Sequence, residues 1–203
     1  GTGSNAGTIA SLVNQTGGTF GNAGTISGTV NNQTGGTFNN QATGTTGAVT
    51  NSGITSNAGT IASLTNAAGT TTNTGNISGL TTVNGGTVNN NAGGTLANVT
   101  NNAAGTFSNA AGATAANVTN AGTGSNAGTI ASLANSNTFG NTGDISGNAS
   151  NSGTLTNSGS IGTLTNIAGT TANTGSVSGL TTISGGTVNN NAGGTLANRK
   201  SGA

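Results

Sequence analysis

Large apolar side chains recur along this 203-residue chain in three rows, each visited once per 15–20 residues. The first row runs Ile9, Ile26, Thr46, Ile61, Ile77, Leu96, Ala115, Ile130, Ile145, Ile161, Val177 and Leu196. Three residues downstream stands the second: Leu12, Val49, Leu64, Leu80, Val99, Val118, Leu133, Leu164 and Leu180, with Val30 displaced by one residue and Asn148 interrupting it. The third follows the first by 8–12 residues and holds Phe20, Phe38, Ile54, Thr71, Val88, Phe107, Thr123, Phe139, Leu155, Thr171 and Val188. All four phenylalanines of the chain fall in it.

Rows that recur at this interval describe one turn of a coil per repeat, with equivalent positions stacked along an axis. Side chains on one face of a strand are two residues apart, so a spacing of three puts a bend between the first and second rows. A helix would also allow three, but these segments are short, β-branched and broken by glycine every few residues. The pattern therefore predicts an all-β parallel β-helix (a β-solenoid) of about eleven coils, a single domain over residues 1–203. Eleven intervals at the spacing of neighbouring strands, about 4.8 Å, give a rod of roughly 53 Å. Its expected core holds Ile9, Ile61, Ile77 and Leu96 from the first row, Leu64, Leu80, Val99 and Val118 from the second, and Phe20, Phe38, Phe107 and Phe139 from the third.

The polar positions keep the same beat. Two residues before the first row stands glycine, as in Gly24, Gly59, Gly75 and Gly143, with Ala113 the exception. Such a glycine is required where a corner needs positive φ or where two backbones approach closely. Four or five residues before the row stands asparagine: Asn5, Asn22, Asn57, Asn73, Asn91, Asn126, Asn141, Asn157, Asn173 and Asn191. Asparagine bonds nearby backbone at turns, and identical amides stacked one strand apart can form a hydrogen-bonded ladder without charge. Threonine precedes the inward residue of the first row (Thr8, Thr25, Thr45, Thr60) and of the third (Thr19, Thr37, Thr70, Thr87), suiting an exposed strand face. Longer repeats overlie this unit. Residues 64–98 recur at 164–198, and the string GTGSNAGTIASL at 1–12 returns at 122–133. The first row extends almost from end to end without a polar capping repeat, so the array reads as uncapped at both ends, a piece of a longer array or a stacking subunit.

Composition narrows the function. The chain has two basic residues, Arg199 and Lys200, one acidic residue, Asp144, and no His, Cys, Glu, Met, Trp, Tyr or Pro. Acid–base, nucleophilic and metal chemistry draw on side chains that are almost all missing, so no catalytic, cofactor-binding or metal-ligating residue is assigned. Two adjacent cations make no footprint for nucleic acid, and no apolar run approaches the roughly 20 residues of a membrane span. Asp144 takes an outward position where Thr is usual and reads as a solvated variant.

The Asn–Gly–Thr–aliphatic periodicity over essentially the whole chain resembles the repetitive stalks of bacterial autotransporters and filamentous-haemagglutinin-like surface adhesins. That resemblance implies a right-handed coil, secretion to the extracellular face of a bacterial cell and a role in adhesion or biofilm. A structural, non-enzymatic rod is thus the expected function, with self-association by end-to-end stacking or lateral packing, and a host or neighbouring-cell surface as the partner. The alternative is an ice-binding solenoid that uses its outward threonines. Against it, the residue after the first-row position is usually Ala, Ser or Gly (Ala10, Ser27, Gly47), so paired Thr-x-Thr positions are scarce there.

Overall fold

The computed structural model describes residues 1–201. The chain winds into a parallel β-solenoid of about twelve turns, one more than the row spacing predicted, with equivalent positions about 17 residues apart. The first full turn shows the plan. Strands Thr8–Ile9, Leu12–Asn14 and Thr19–Asn22 pair in parallel with Thr25–Ile26, Val30–Asn32 and Thr37–Asn40 of the next turn. Each turn therefore has three inward-facing segments. In later turns the first two merge into one bent strand such as Thr60–Asn66, and twice all three merge, in Asn76–Asn90 and Thr95–Asn109.

Alternation within each segment decides what is buried. In Thr70–Asn73, Thr71 and Asn73 face inward while Thr70 and Thr72 face out. The inward columns stack like on like: Ile61 under Ile77 and Leu96, Val99 under Val118 and Leu133, Phe20 under Phe38. Ile61, Ile77, Leu96, Leu64, Val99, Val118, Phe38, Phe107 and Phe139 are buried, and Ile9 and Phe20 pack partly buried against them.

Leu80 departs from the expected core: it is 48% exposed, as its counterpart Leu180 is 45%. The cause is one extra residue. Leu64 pairs with Thr81, not Leu80, and the register shifts between Ile77 and Leu80. Thr81 takes the inward place and Leu80 is turned outward. The same insertion sets Val30, Ala149 and Thr181 four residues after the first row instead of three. All four turns carry Ser-Gly after the first-row residue (Ser27-Gly28, Ser78-Gly79, Ser146-Gly147, Ser178-Gly179), which no three-residue turn does. A Cβ on these glycines would lie 2.4–2.6 Å from a carbonyl oxygen of the preceding turn, so the extra residue fits only without a side chain. Two third-row positions shift likewise: Ile54 is 56% exposed with Thr55 inward, and Thr123 faces out with Gly124 inward.

The corner glycines before the first row answer to close approach, not to positive φ. None of them has positive φ, but a Cβ on Gly143 would stand 2.2 Å from the backbone oxygen of Gly128 in the turn before. Gly143→Ala is therefore expected to lower stability by about 1–3 kcal/mol or more, because the obstacle is backbone and cannot rotate away. Gly140→Ala, whose Cβ would meet nothing nearer than the Thr156 hydroxyl at 3.6 Å, should leave the thermal midpoint nearly unchanged. Equal midpoints for the two variants would contradict this account.

Candidate functional site

The most elaborate arrangement of functional groups in the fold is internal, at the two corners of each turn. Almost every strand ends on an asparagine on the inward face, two residues after another position of that face. At the corner after the third segment these residues are Asn5, Asn22, Asn40, Asn57, Asn73, Asn90, Asn109, Asn126, Asn141, Asn157, Asn173 and Asn190. Each donates from Nδ2 to Oδ1 of the next, at 2.7–2.9 Å, without a break. Each amide also closes its own corner: Asn57 Nδ2 reaches the Gly59 carbonyl at 3.2 Å. All eight ladder residues expected from the core pattern, Asn5, Asn22, Asn57, Asn73, Asn126, Asn141, Asn157 and Asn173, stand in it. Asn91 and Asn191 do not. They are exposed, and their neighbours Asn90 and Asn190 take the ladder positions.

A second ladder, which the sequence pattern did not reveal, follows the second segment. Asn14, Asn32, Asn51 and Asn66 form one run and Asn101, Asn120, Asn135, Asn151 and Asn166 another, at 2.7–3.1 Å. The signal was available: these residues stand two after a second-row aliphatic, hence on its face. Inward threonines of the third segment lean on this ladder, with Thr71 Oγ1 donating to Asn66 Oδ1 at 2.9 Å and Thr171 to Asn166 at 2.8 Å. An amide with both ends engaged by its own kind satisfies its hydrogen-bonding groups inside a core that holds no charge, the condition under which burying it is tolerated.

The gap between the two runs is a local exchange of polarity. Where the other turns of the ladder read aliphatic–x–Asn, with x most often Thr, this one reads Thr81-Thr82-Val83, and its counterpart reads Thr181-Thr182-Ile183. Val83 fills the ladder position and offers no amide. Asn66 Nδ2 turns to the Gly85 carbonyl at 2.8 Å, and Asn101 Oδ1 and the hydroxyls of Thr81 and Thr181 are buried without partners. Val83→Asn, close in volume, would give Asn66 an oxygen to donate to and Asn101 a donor. It is expected to raise stability by about 1 kcal/mol, read as a higher denaturant midpoint at unchanged slope. A lower midpoint would show that Val83 packing outweighs the missing bonds.

The outer surface offers little to a small ligand. Shallow grooves run beside the corners, lined by small polar residues such as Thr142, Thr156 and Ser158 in one and Ser56, Thr72 and Thr74 in another. Asp144 lies in the outward row of first segments, between Thr129 and Ser160, and accepts a hydrogen bond from the Ser160 hydroxyl. Among the described residues no three His, Cys, Asp or Glu side chains gather, and no helix is long and apolar enough to cross a membrane. Comparison with protein-family models, with curated proteins and with solved structures found no match. The parallel β-solenoid is the level at which this chain is placed, and its ladders and outward rows supply the remaining argument.

Proposed function

We propose that the chain is a non-enzymatic structural rod working outside a bacterial cell, as the stalk of a surface adhesin or as a building block of an extracellular fibre or biofilm matrix. The observation that carries this reading is the unbroken amide ladder from Asn5 to Asn190, which ties every turn to the next from one end of the described coil to the other. The fold invests its polar groups in axial continuity and places none of them in a deep pocket. Two further features support the reading. A surface with so few charges offers little repulsion to close lateral packing. With Arg199 and Lys200 its only basic side chains, the rod presents almost no trypsin-type cleavage sites.

Antibody labelling of intact source cells tests the location. Labelling without permeabilisation supports an extracellular rod, and labelling only after permeabilisation sinks it. Electron microscopy of the purified chain over a range of concentrations separates the two forms of the proposal: isolated rods about 50 Å long favour a stalk segment, filaments with an axial repeat of about 4.8 Å a fibre subunit.

One observation favours ice binding as a second reading. The outward position that opens the third segment is threonine in eleven of its twelve paired turns (Thr37, Thr70, Thr87 and Thr106 among them; Ile54 the exception). Two residues on, the same face carries Thr72, Thr156, Ser56, Ser108 and Ser125. Threonine hydroxyls with their methyl groups thus repeat at about 4.8 Å along the axis in one column, with a second, mixed column of Ser, Thr, Asn, Gly and Ala about 6.6 Å across it. Paired threonines are scarce here too, at Thr70/Thr72 and Thr154/Thr156 only, so this reading rests on the single threonine column. Thermal hysteresis of the solution would establish this reading, and its absence at high concentration would remove it.

A further inference from the structure

The chain holds 35 asparagines and 40 glycines, yet only one asparagine directly precedes a glycine: Asn84, before Gly85. That dipeptide is the one most prone to spontaneous cyclisation, because a residue without Cβ leaves its amide nitrogen free to reach the preceding side chain. Elsewhere at least one residue separates each asparagine from the next glycine. The four Asn-Ser pairs, at Asn51, Asn135, Asn151 and Asn157, are the next most reactive class, and all four asparagines are buried ladder members with both ends of the amide bonded.

Asn84 has none of that protection. It is exposed at a corner, and it drops out of the register on both sides. Pairing with the preceding turn ends at Asn66 with Val83, and pairing with the following turn steps from Val83–Asn101 to Gly85–Ala104. At the equivalent corner one hundred residues on, the Gly185 amide has only a long 3.3 Å bond to the Asn166 carbonyl, which Ser184 shares at 2.9 Å. The Asn84 side chain is also set up at its carbon. Asn102 Nδ2 donates to Asn84 Oδ1 at 2.6 Å, drawing electron density from the carbonyl, while Asn84 Nδ2 makes no hydrogen bond among the described residues.

We propose that Asn84 is a self-modifying site at which the rod spontaneously acquires a negative charge, with Asn102 as the group that activates it. Hydroxide removes the Gly85 amide proton, and the nitrogen attacks Cγ of Asn84. The bond from Cγ to Nδ2 breaks, Nδ2 leaves with a proton as ammonia, and a five-membered succinimide forms. Water opens either carbonyl of that ring to give aspartate or isoaspartate. The sum is one amide and one water converted to a carboxylate and ammonium, with no oxidation or reduction. Asn102 acts on the oxygen that carries the developing charge, as a donor at an oxyanion does. The product carboxylate keeps Asn102 as a donor, and the formal net charge falls from +1 to zero.

The test is to incubate the purified native chain at mildly alkaline pH and follow it by ion exchange, intact mass and enzymatic methylation of isoaspartate. The expected result is a single more acidic species per chain, formed at a rate proportional to hydroxide concentration and methylatable in part. Asn84→Ser, which installs the residue found at position 184, should abolish it. Asn102→Ala should slow it several-fold, as loss of a donor to the reacting carbonyl does. An unchanged rate in Asn102→Ala would remove the activating role. Persistence of the acidic species in Asn84→Ser, or deamidation seen only after denaturation, would overturn the site.

Discussion

Replacing Val99 with aspartate should unfold the middle of the coil, while the same replacement at Leu80 should pass almost unnoticed. Val99 is 2% exposed and stacks between Thr81 and Val118. A carboxylate there has no cation to meet, since Arg199 and Lys200 lie at the far end of the chain. Burying an unpaired charge, or forcing it to stay protonated, costs several kcal/mol, among the largest effects one substitution can have. Leu80 is 48% exposed on the extra residue of its turn, so aspartate there enters water and should change stability by no more than about 0.5 kcal/mol. Circular dichroism melts of the two variants side by side decide it. Similar losses in both would mean that Leu80 faces inward and that the one-residue shift is wrong.

Asn57→Leu should be the second severe change, because it cuts the continuous ladder with a side chain of nearly the same size. Asn57 Oδ1 accepts from Asn40 at 2.7 Å and its Nδ2 donates to Asn73 at 2.7 Å. Leucine removes both bonds and leaves Asn73 Oδ1 without its ladder donor, in a site with little access for water. Losing a hydrogen bond and orphaning a buried acceptor together cost about 2–4 kcal/mol. The control is Asn91→Leu, at an exposed asparagine outside the ladder, which should be nearly neutral. A denaturant midpoint for Asn57→Leu within error of the control would show that the ladder adds nothing beyond filling space.

The coil itself was legible because burial imposes a strict period: an inward position comes round once per turn, and a polar residue there is costly, so the rows stand out in the letters alone. What blurred was phase within the turn. Counting a fixed three residues from the first row lands on Leu80, Asn148 and Leu180, when the inward residues are Thr81, Ala149 and Thr181. The apolar character of Leu80 made the wrong phase attractive, and the Ser-Gly pair that marks the extra residue was the better guide. Asparagines suffered from counting in the other direction. Corner length varies, so measuring back from Leu96 finds Asn91. Measuring forward two residues from the inward Val88 finds Asn90, because alternation along a strand is fixed while corners are elastic. The same forward count from the second row would have disclosed every member of the second ladder except Asn151, whose turn carries the extra residue. Glycine corners were ambiguous for another reason: close approach between turns is a property of two segments at once, and no single segment records it.

Both ladders point one way. In every bond Nδ2 belongs to the earlier turn and Oδ1 to the later one, from Asn5 to Asn190 and through both runs of the second ladder. Dipoles of paired strands largely cancel within a sheet, but these amide dipoles lie head to tail and add, as peptide dipoles do along a helix. The coil consequently carries an axial electric moment that its backbone alone would lack, negative toward its first turn and positive toward its last. That moment lengthens with every turn added and sits in an interior that screens it poorly. Two such coils lying side by side lower their energy by running in opposite directions, so a sheath assembled from them would be electrically non-polar even though each strand of it has a head and a tail.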